Sequence, residues 1–414
     1  MSYLSIVCFL LCVFLLLDSR RKSVDLFSPS RVFAFVWALA IGLADLKLSY
    51  FQHKWDLYSW ITLLLGIFSL LTGIFGAYLV YSKERLLYVD EIRRYYFNYA
   101  INGKRLFYSL VILIGIYFIS YITEVILEGY LPFWASIPDR ARVEWGVFGI
   151  HLLVNSMPTI LFLVSIYFIF IKQNKKKKIL LMVLSLLIII SYFFTLQRFN
   201  LTIWILMLLA LLYYTTKRVS LKHILLIGIL LAIIISLIQK VRLVAYVQNY
   251  IYVISKMKYP ATFSIFTEPY MYIVMNLENF ARGVSNLENF TYGYFTGDFI
   301  LALIGVKHWL AETFNIIERP FLICGYNTFS FFWPYYYDYG VLGVVMFPFL
   351  VGAATGFAYY SLRTSPNLLN LSVYSMAFYI LVISFFTNPL TMLNTVFNIF
   401  LTIAIIISID SRKS

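Results

Sequence analysis

The stretch YSWITLLLGIFSLLTGIFGAYLVY, from Tyr58 to Tyr81, runs 24 residues without a charge. As a helix it rises about 36 Å, enough to cross a hydrocarbon core about 30 Å thick. Directly after it come Lys83, Arg85, Arg93, Arg94, Lys104 and Arg105, and then another apolar run begins. This alternation of apolar blocks and basic clusters recurs along the whole chain. Apolar residues make up 62% of the 414 positions and charged residues 13%, too little polar surface to wrap a water-soluble globule of this size. The blocks have the length of helices rather than of alternating barrel strands.

Spans are expected at Tyr3 to Leu17, Arg31 to Tyr50, Tyr58 to Tyr81, Leu106 to Leu127, Gly149 to Ile171, Ile179 to Gln197, Leu201 to Tyr214, Ile224 to Gln239, Gly340 to Tyr360, Ser372 to Asn388 and Leu393 to Ile409. The predicted fold class is all-α: a polytopic membrane helical bundle of about 11 transmembrane helices, with one large outer loop containing amphipathic helices. Residues 1–239 hold the first eight helices, 240–339 the outer loop, and 340–414 the last three helices with a short tail. Tyr3 to Leu17 reads as a retained span, because Arg20, Arg21 and Lys22 follow the apolar run and no small-residue cleavage site appears.

A net charge of +14 invites a nucleic-acid reading, but the charges are placed by topology. Arg20 to Lys22, Lys83 to Arg105, Lys172 to Lys178, Lys217 to Lys222, Arg363 and Arg412 to Lys413 all fall in alternate loops. The positive-inside rule puts those loops and the C-terminus in the cytoplasm. The long segment from Lys240 to Asp338 holds equal numbers of Lys plus Arg and of Asp plus Glu, as suits a translocated segment. Nucleic acid is excluded as a partner on this reading.

Cys8, Cys12 and Cys324 provide no disulfide framework. There is no Walker loop, no His-Glu-x-x-His and no Cys-x-x-Cys, and His53, His151, His223 and His308 are scattered over different segments. No cofactor or metal is expected. The outer segment instead concentrates Arg242, Arg282 and Arg319, with Arg198 at the rim, and carboxylates at Glu268, Glu278, Asp298 and Asp338, among many tyrosines and tryptophans. Arginine forks bind phosphate bidentately, carboxylates accept hydroxyl protons, and aromatic faces stack on sugars.

Within that segment Phe263, Phe266, Tyr270, Ile273, Leu277, Phe280 and Val284 recur at steps of three and four, the period of a helix with one apolar face. Glu268, Tyr272, Asn279 and Arg282 form a second stripe, expected to face water or a ligand. Arg198 sits in a hairpin so tight that it must lie at the outer interface, either facing a ligand or snorkelling to headgroups. Asp338 precedes Gly340 at the mouth of the ninth span. It reads either as that helix's N-cap or as a carboxylate that accepts a substrate proton or holds an arginine.

The run Gly325-Tyr326-Asn327-Thr328-Phe-Ser-Phe-Phe-Trp-Pro-Tyr-Tyr-Tyr337-Asp338-Tyr-Gly340-Val-Leu-Gly343 resembles the segment closing the large outer loop of the O-antigen and capsule repeat-unit polymerases, the Wzy family. Supporting likenesses are the Arg198 hairpin, the stretch Glu268-Pro-Tyr270-Met-Tyr272-Ile-Val-Met-Asn276, and Asp25-Leu-Phe-Ser-Pro29. The resemblance implies a metal-independent glycosyltransferase in a bacterial cytoplasmic membrane. Such an enzyme transfers a growing glycan from undecaprenyl diphosphate to a new lipid-linked repeat unit. Membrane lipids, a chain-length regulator and a flippase are the implied partners. The implied catalytic residues are Asp338, Arg198, Arg282 and Arg319, with Arg242, Glu268, Tyr272, Asn276, Tyr326, Asn327 and Tyr337 binding substrate. O-antigen ligases share the layout and the Gly340-x-x-Gly343 helix start, but they resemble one another in a histidine ahead of it, where this chain has Gly325-Tyr326-Asn327. A lipid-linked oligosaccharide transporter is the alternative of another class. It calls for repeated halves and mid-membrane charges, whereas Asp45, Lys47 and Glu124 all lie near outer span ends.

Overall fold

A computed structural model describes residues 2–18, 24–216, 223, 228, 250–317, 320–323 and 326–409. The helices, in chain order, are α1 Tyr3–Asp18, α2 Pro29–Asp45, α3 Leu57–Tyr81, α4 Val89–Phe97, α5 Gly103–Glu128, α6 Pro138–Glu144, α7 Ile150–Val154, α8 Met157–Phe170, α9 Lys175–Phe194 and α10 Phe199–Thr215. They continue with α11 Tyr250–Ile254, α12 Thr267–Asn286, α13 Asp298–Leu303, α14 Lys307–Thr313, α15 Trp333–Thr364, α16 Leu368–Ile383 and α17 Leu393–Ile409. Among the described residues there is no strand, only an isolated bridge between Ser49 and Met257.

Among the described residues, five helical stretches are long and apolar enough to cross a membrane: Leu57–Tyr81, Gly103–Trp134, Ile150–Phe170, Lys175–Phe194 and Trp333–Thr364. Four shorter apolar helices, Tyr3–Asp18, Phe199–Thr215, Leu368–Ile383 and Leu393–Ile409, coincide with further expected spans. The expected span Ile224 to Gln239 lies outside the described residues. The second expected span stops at Asp45 instead of Tyr50, where Lys47 takes a left-handed φ of 50°. The fifth is broken at Asn155 and Ser156, just before Pro158, whose missing N–H suits the first turn of a new helix. The ninth begins at the bend at Gly340, and a further helical segment from Trp333 runs into that bend.

The chain divides into two compact units. The first comprises Met1–Tyr88, Gln248–Thr364 and Ala377–Val396, and the second Val89–Val247, Ser365–Met376 and Phe397–Ser414. In the first unit the closest packing is between α3 and α15. A Cβ on Gly73 would stand 2.1 Å from the Phe349 carbonyl oxygen, and one on Gly352 would stand 2.0 Å from that of Leu70. Gly352-Ala-Ala-Thr-Gly356 is a small-x-x-x-small stripe, the pattern that lets helix backbones meet where lipid offers no hydrophobic drive. Gly66, opposite Phe332 and Val344, extends the seam.

The bend in α15 also rests on glycine. Gly340 has φ 59° and ψ −145°, a conformation outside the L-residue regions, and the Phe290 ring covers its α-carbon. Gly343 leaves room for the Tyr335 carbonyl, 2.1 Å from where a Cβ would be. At the other end of α15, Asp25 accepts from the Phe27 amide (2.9 Å) and the Tyr359 hydroxyl (2.9 Å), and Arg363 lies 3.8 Å away. Arg363 also bonds the Leu87 carbonyl. Asp25 therefore ties the turn before α2 to the end of α15.

In the second unit α8 is central. Ten of its 14 residues are buried, whereas α9 turns Ile179, Met182 and Leu186 outward. The Thr159 hydroxyl meets Asn398 (2.7 Å) and Thr402 (3.0 Å), a polar clamp in an otherwise apolar core.

Gly73→Val and Gly352→Val are expected to cost at least roughly 1–3 kcal/mol through overpacking, because the atoms in the way are backbone and cannot move aside alone. Thermal melts in detergent should show both variants well below the wild type. Gly115→Ala, with nothing within 4 Å of its added carbon, should melt at or slightly above it. Equal melting of all three would remove the seam from its structural role.

Candidate functional site

The expected amphipathic helix exists as α12, and Tyr270, Leu277, Phe280 and Val284 are buried on it. Phe263 and Phe266 are exposed and belong to the 3-10 turns before it. Of the polar stripe, Glu268, Tyr272 and Arg282 are half-buried and Asn279 is buried, because α12 packs on α2 and α3 and also touches α15. Asn276 and Glu278, off that stripe, are buried as well.

Each buried polar group on α12 holds a piece of chain. Glu278 accepts from the His53 amide (2.7 Å) and the Trp55 indole (2.8 Å), which fastens the loop between α2 and α3. Burial pushes its carboxyl above the usual carboxylate range, against the pull of those two bonds and of His53 and Lys47. Asn279 donates to the Thr328 (2.8 Å) and Tyr326 (3.3 Å) carbonyls and accepts from the Ile323 amide (3.0 Å). Asn276 accepts from the Thr328 hydroxyl. The Tyr326 hydroxyl meets Ser255 at 2.6 Å, and burial pushes its pKa up to about 12. The run that carries the family resemblance is thus clamped onto α12.

Asp338 is fully enclosed, and neither oxygen caps its own helix. The carboxylate accepts from the Thr291 hydroxyl (2.5 Å) and from the amides of Phe295 (3.1 Å) and Thr296 (2.5 Å). The N-cap reading is corrected: the acid's partners all belong to a neighbouring loop, and among the described residues no amide of the helix that follows the bend at Gly340 bonds it. That enclosure suits anchoring better than contact with a substrate.

Beside this loop opens a cleft of about 1130 Å³, lined among others by Asn286, Asn289, Tyr292, Tyr294, Phe314 and Tyr337. Tyr337 is fixed by stacking on Phe295 (4.6 Å between ring centres) and by donating to the Ile317 carbonyl (3.0 Å). The Lys307 and Asp298 ion pair, 2.9 Å long, braces α13 against α14. Amides offer donors and acceptors together and aromatic rings offer flat apolar faces, the combination a polyhydroxylated ligand requires. The volume exceeds the range of about 300–1,000 Å³ usual for small-molecule pockets.

Of the other expected site residues, Arg282 lies one turn before Asn286, and its guanidinium makes no ion pair or hydrogen bond with a described residue. Glu268 opens α12, Tyr272 stacks near Phe386 (5.9 Å), and Asn327 is exposed. Arg242 and Arg319 lie outside the described residues. Arg198 belongs to the second unit, at the start of α10. It follows Gln197, whose side chain reaches His151 and, through it, the enclosed Glu124.

Sequence reasoning missed Glu278 as an anchor and missed the Glu124 and His151 pair. The first was signalled by spacing, since Glu278 is seven, four and three residues from the buried Met271, Val274 and Met275. The second was signalled only by Glu124 extending the buried stripe Tyr117, Ser120 and Tyr121.

Asp338→Asn should free the loop at residues 291–296, because a carboxamide offers one acceptor oxygen to three donors and turns its own N–H toward one of them. Limited proteolysis of the variant should cut between Thr291 and Thr296 several-fold faster than in the wild type. An unchanged cleavage pattern would show that the carboxylate does not hold the loop. No known protein family, curated protein or solved structure matches the chain.

Proposed function

We propose that this chain polymerises lipid-linked oligosaccharide repeat units, as the resemblance of residues 325–343 to the Wzy family implies. The observation that carries the reading is the large cleft of amides and aromatic rings beside that run, whose size and lining suit several sugar rings. In this reading the donor is a glycan on undecaprenyl diphosphate and the acceptor is a hydroxyl of another lipid-linked repeat unit. No nucleotide sugar enters, so no metal is needed to hold one. Arg198, Arg242, Arg282 and Arg319 are candidates to neutralise the departing diphosphate, and the anomeric centre passes through an oxocarbenium-like state. Glu268, Tyr272 and Asn327 are candidates for contacts to the sugars. The chain sits in a bacterial cytoplasmic membrane with its C-terminus cytoplasmic, and residues 240–339 lie outside.

Deleting the gene and displaying the surface glycan tests the activity. Collapse of the ladder to single repeat units supports polymerisation, whereas total loss of attached glycan indicates a ligase or transporter instead. The topology is tested by reporters fused after Asn174 and after Ser414, which should read cytoplasmic, and near Ser285, which should read external. An external signal after Asn174 would overturn it.

Arg282→Lys keeps the charge and loses the bidentate fork, so elongation should slow by about tenfold at normal protein levels, the equivalent of losing one charge-assisted bond. Wild-type chain lengths in that variant would take Arg282 out of diphosphate binding.

A further inference from the structure

The second unit holds a carboxylate with no access to solvent. Glu124 is fully enclosed; one oxygen accepts from the Val147 amide (3.2 Å), and its two oxygens lie 3.1 and 3.2 Å from His151 Nδ1. A carboxylate at Nδ1 holds the ring proton there and leaves the lone pair on Nε2. The Gln197 side-chain nitrogen stands 3.2 Å from Nε2, and Gln197 Oε1 accepts from the Tyr192 hydroxyl at 2.9 Å. Tyr192 in turn accepts from Asn200 Nδ2 at 2.7 Å. Every donor in this chain, from Asn200 through Tyr192, Gln197 and His151, points toward Glu124.

Two further features suggest a ligand. The His151 side chain is 21% exposed while its carboxylate is not, so Nε2, with the Gln197 amide on it, is the end of the chain open to exchange. The indole nitrogen of Trp145, whose ring stands edge-on to His151 at 5.4 Å, is buried without a partner. An unused buried donor beside a base suits a hydroxylated ligand.

We propose that His151 is the general base that activates the acceptor hydroxyl, with Glu124 as its positioning residue. The assignment rests on the polymerase reading. The acceptor sugar displaces the Gln197 amide from Nε2. Its O–H proton passes to Nε2 as its oxygen bonds to the donor's anomeric carbon. The bond from that carbon to the lipid diphosphate breaks, and the diphosphate leaves with the electron pair. His151 then releases the proton to water. Glu124 stabilises the imidazolium while it exists. Other titratable groups around the pair are Tyr117 and Tyr121 on α5, Tyr192 on α9, and Glu128, which accepts from the Gly146 amide beside Val147.

The test uses the full chain in liposomes with lipid-linked repeat units extracted from its own cells. Diethyl pyrocarbonate acylates a neutral imidazole. Elongation should be lost in step with labelling of His151, not of His53, His223 or His308, and should return with hydroxylamine. His151→Gln should slow elongation by roughly a hundredfold or more. In Glu124→Gln the imidazolium loses its counter-charge, so elongation should fall well below the wild type, while Glu124→Asp keeps the charge and should recover part of the rate. Elongation that continues with His151 fully labelled overturns the assignment. A Glu124→Gln rate unchanged per molecule reduces Glu124 to a structural bond. If gene deletion leaves the glycan ladder intact, the polymerase reading itself fails, and the base assignment with it.

Discussion

Backbone contact between α3 and α15 is the constraint on which the first unit depends. In water two helices are pressed together by the exclusion of solvent from their side chains, but lipid is as apolar as leucine and supplies no such force. What remains is dispersion between closely apposed surfaces, and Gly66, Gly73, Gly352 and Gly356 remove the side chains that would hold the surfaces apart. The seam positions Trp333 to Asp338, because those residues are the continuation of α15 beyond its bend. Trp333 lies on Gly283 of α12, so the second helix pair is built by the same device as the first.

Polar residues then do locally what glycine does along the seam. Glu278 holds the loop before α3, Asn276 and Asn279 together hold the segment around Thr328, and Asp338 organises the turn at 291–296. A loop over a membrane bundle cannot rely on a hydrophobic core of its own. Buried acids and amides hold it by directional bonds, and desolvation makes each costly to leave unpaired. The cleft keeps its shape because its rim and floor are tied in this way.

Much of the architecture is legible in hydropathy and charge because a bilayer imposes length and polarity on each span. The spans at Tyr58 to Tyr81 and Leu106 to Leu127 are off by only a few residues. What was not legible is whatever depends on a partner distant in sequence. The stripe of Asn279 and Arg282 has helical period, but period cannot reveal that α12 is covered on more than one side. Asp338 reads as an N-cap from its place before Gly340, but the groups that take up its oxygens, Thr291, Phe295 and Thr296, lie far away in sequence. Gly352 and Gly356 were visible as residues, but their role required knowing which helix they face. Of the candidate site, Asn276, Tyr326, Tyr337 and Asp338 do share one end of the first unit, though chiefly as its framework. The pairing of Glu124 with His151 crosses two helices and left almost no trace.

The outward face of α9 has a consequence for descent. Ile179, Met182 and Leu186 are exposed on a helix long and apolar enough to cross a membrane, and against lipid tails one apolar side chain serves about as well as another. Substitutions among such residues are close to neutral, so they accumulate freely while a few glycines and buried polar pairs stay under constraint. Two proteins of this architecture can therefore drift until little alignable text survives between them, even where their shapes and chemistry remain the same.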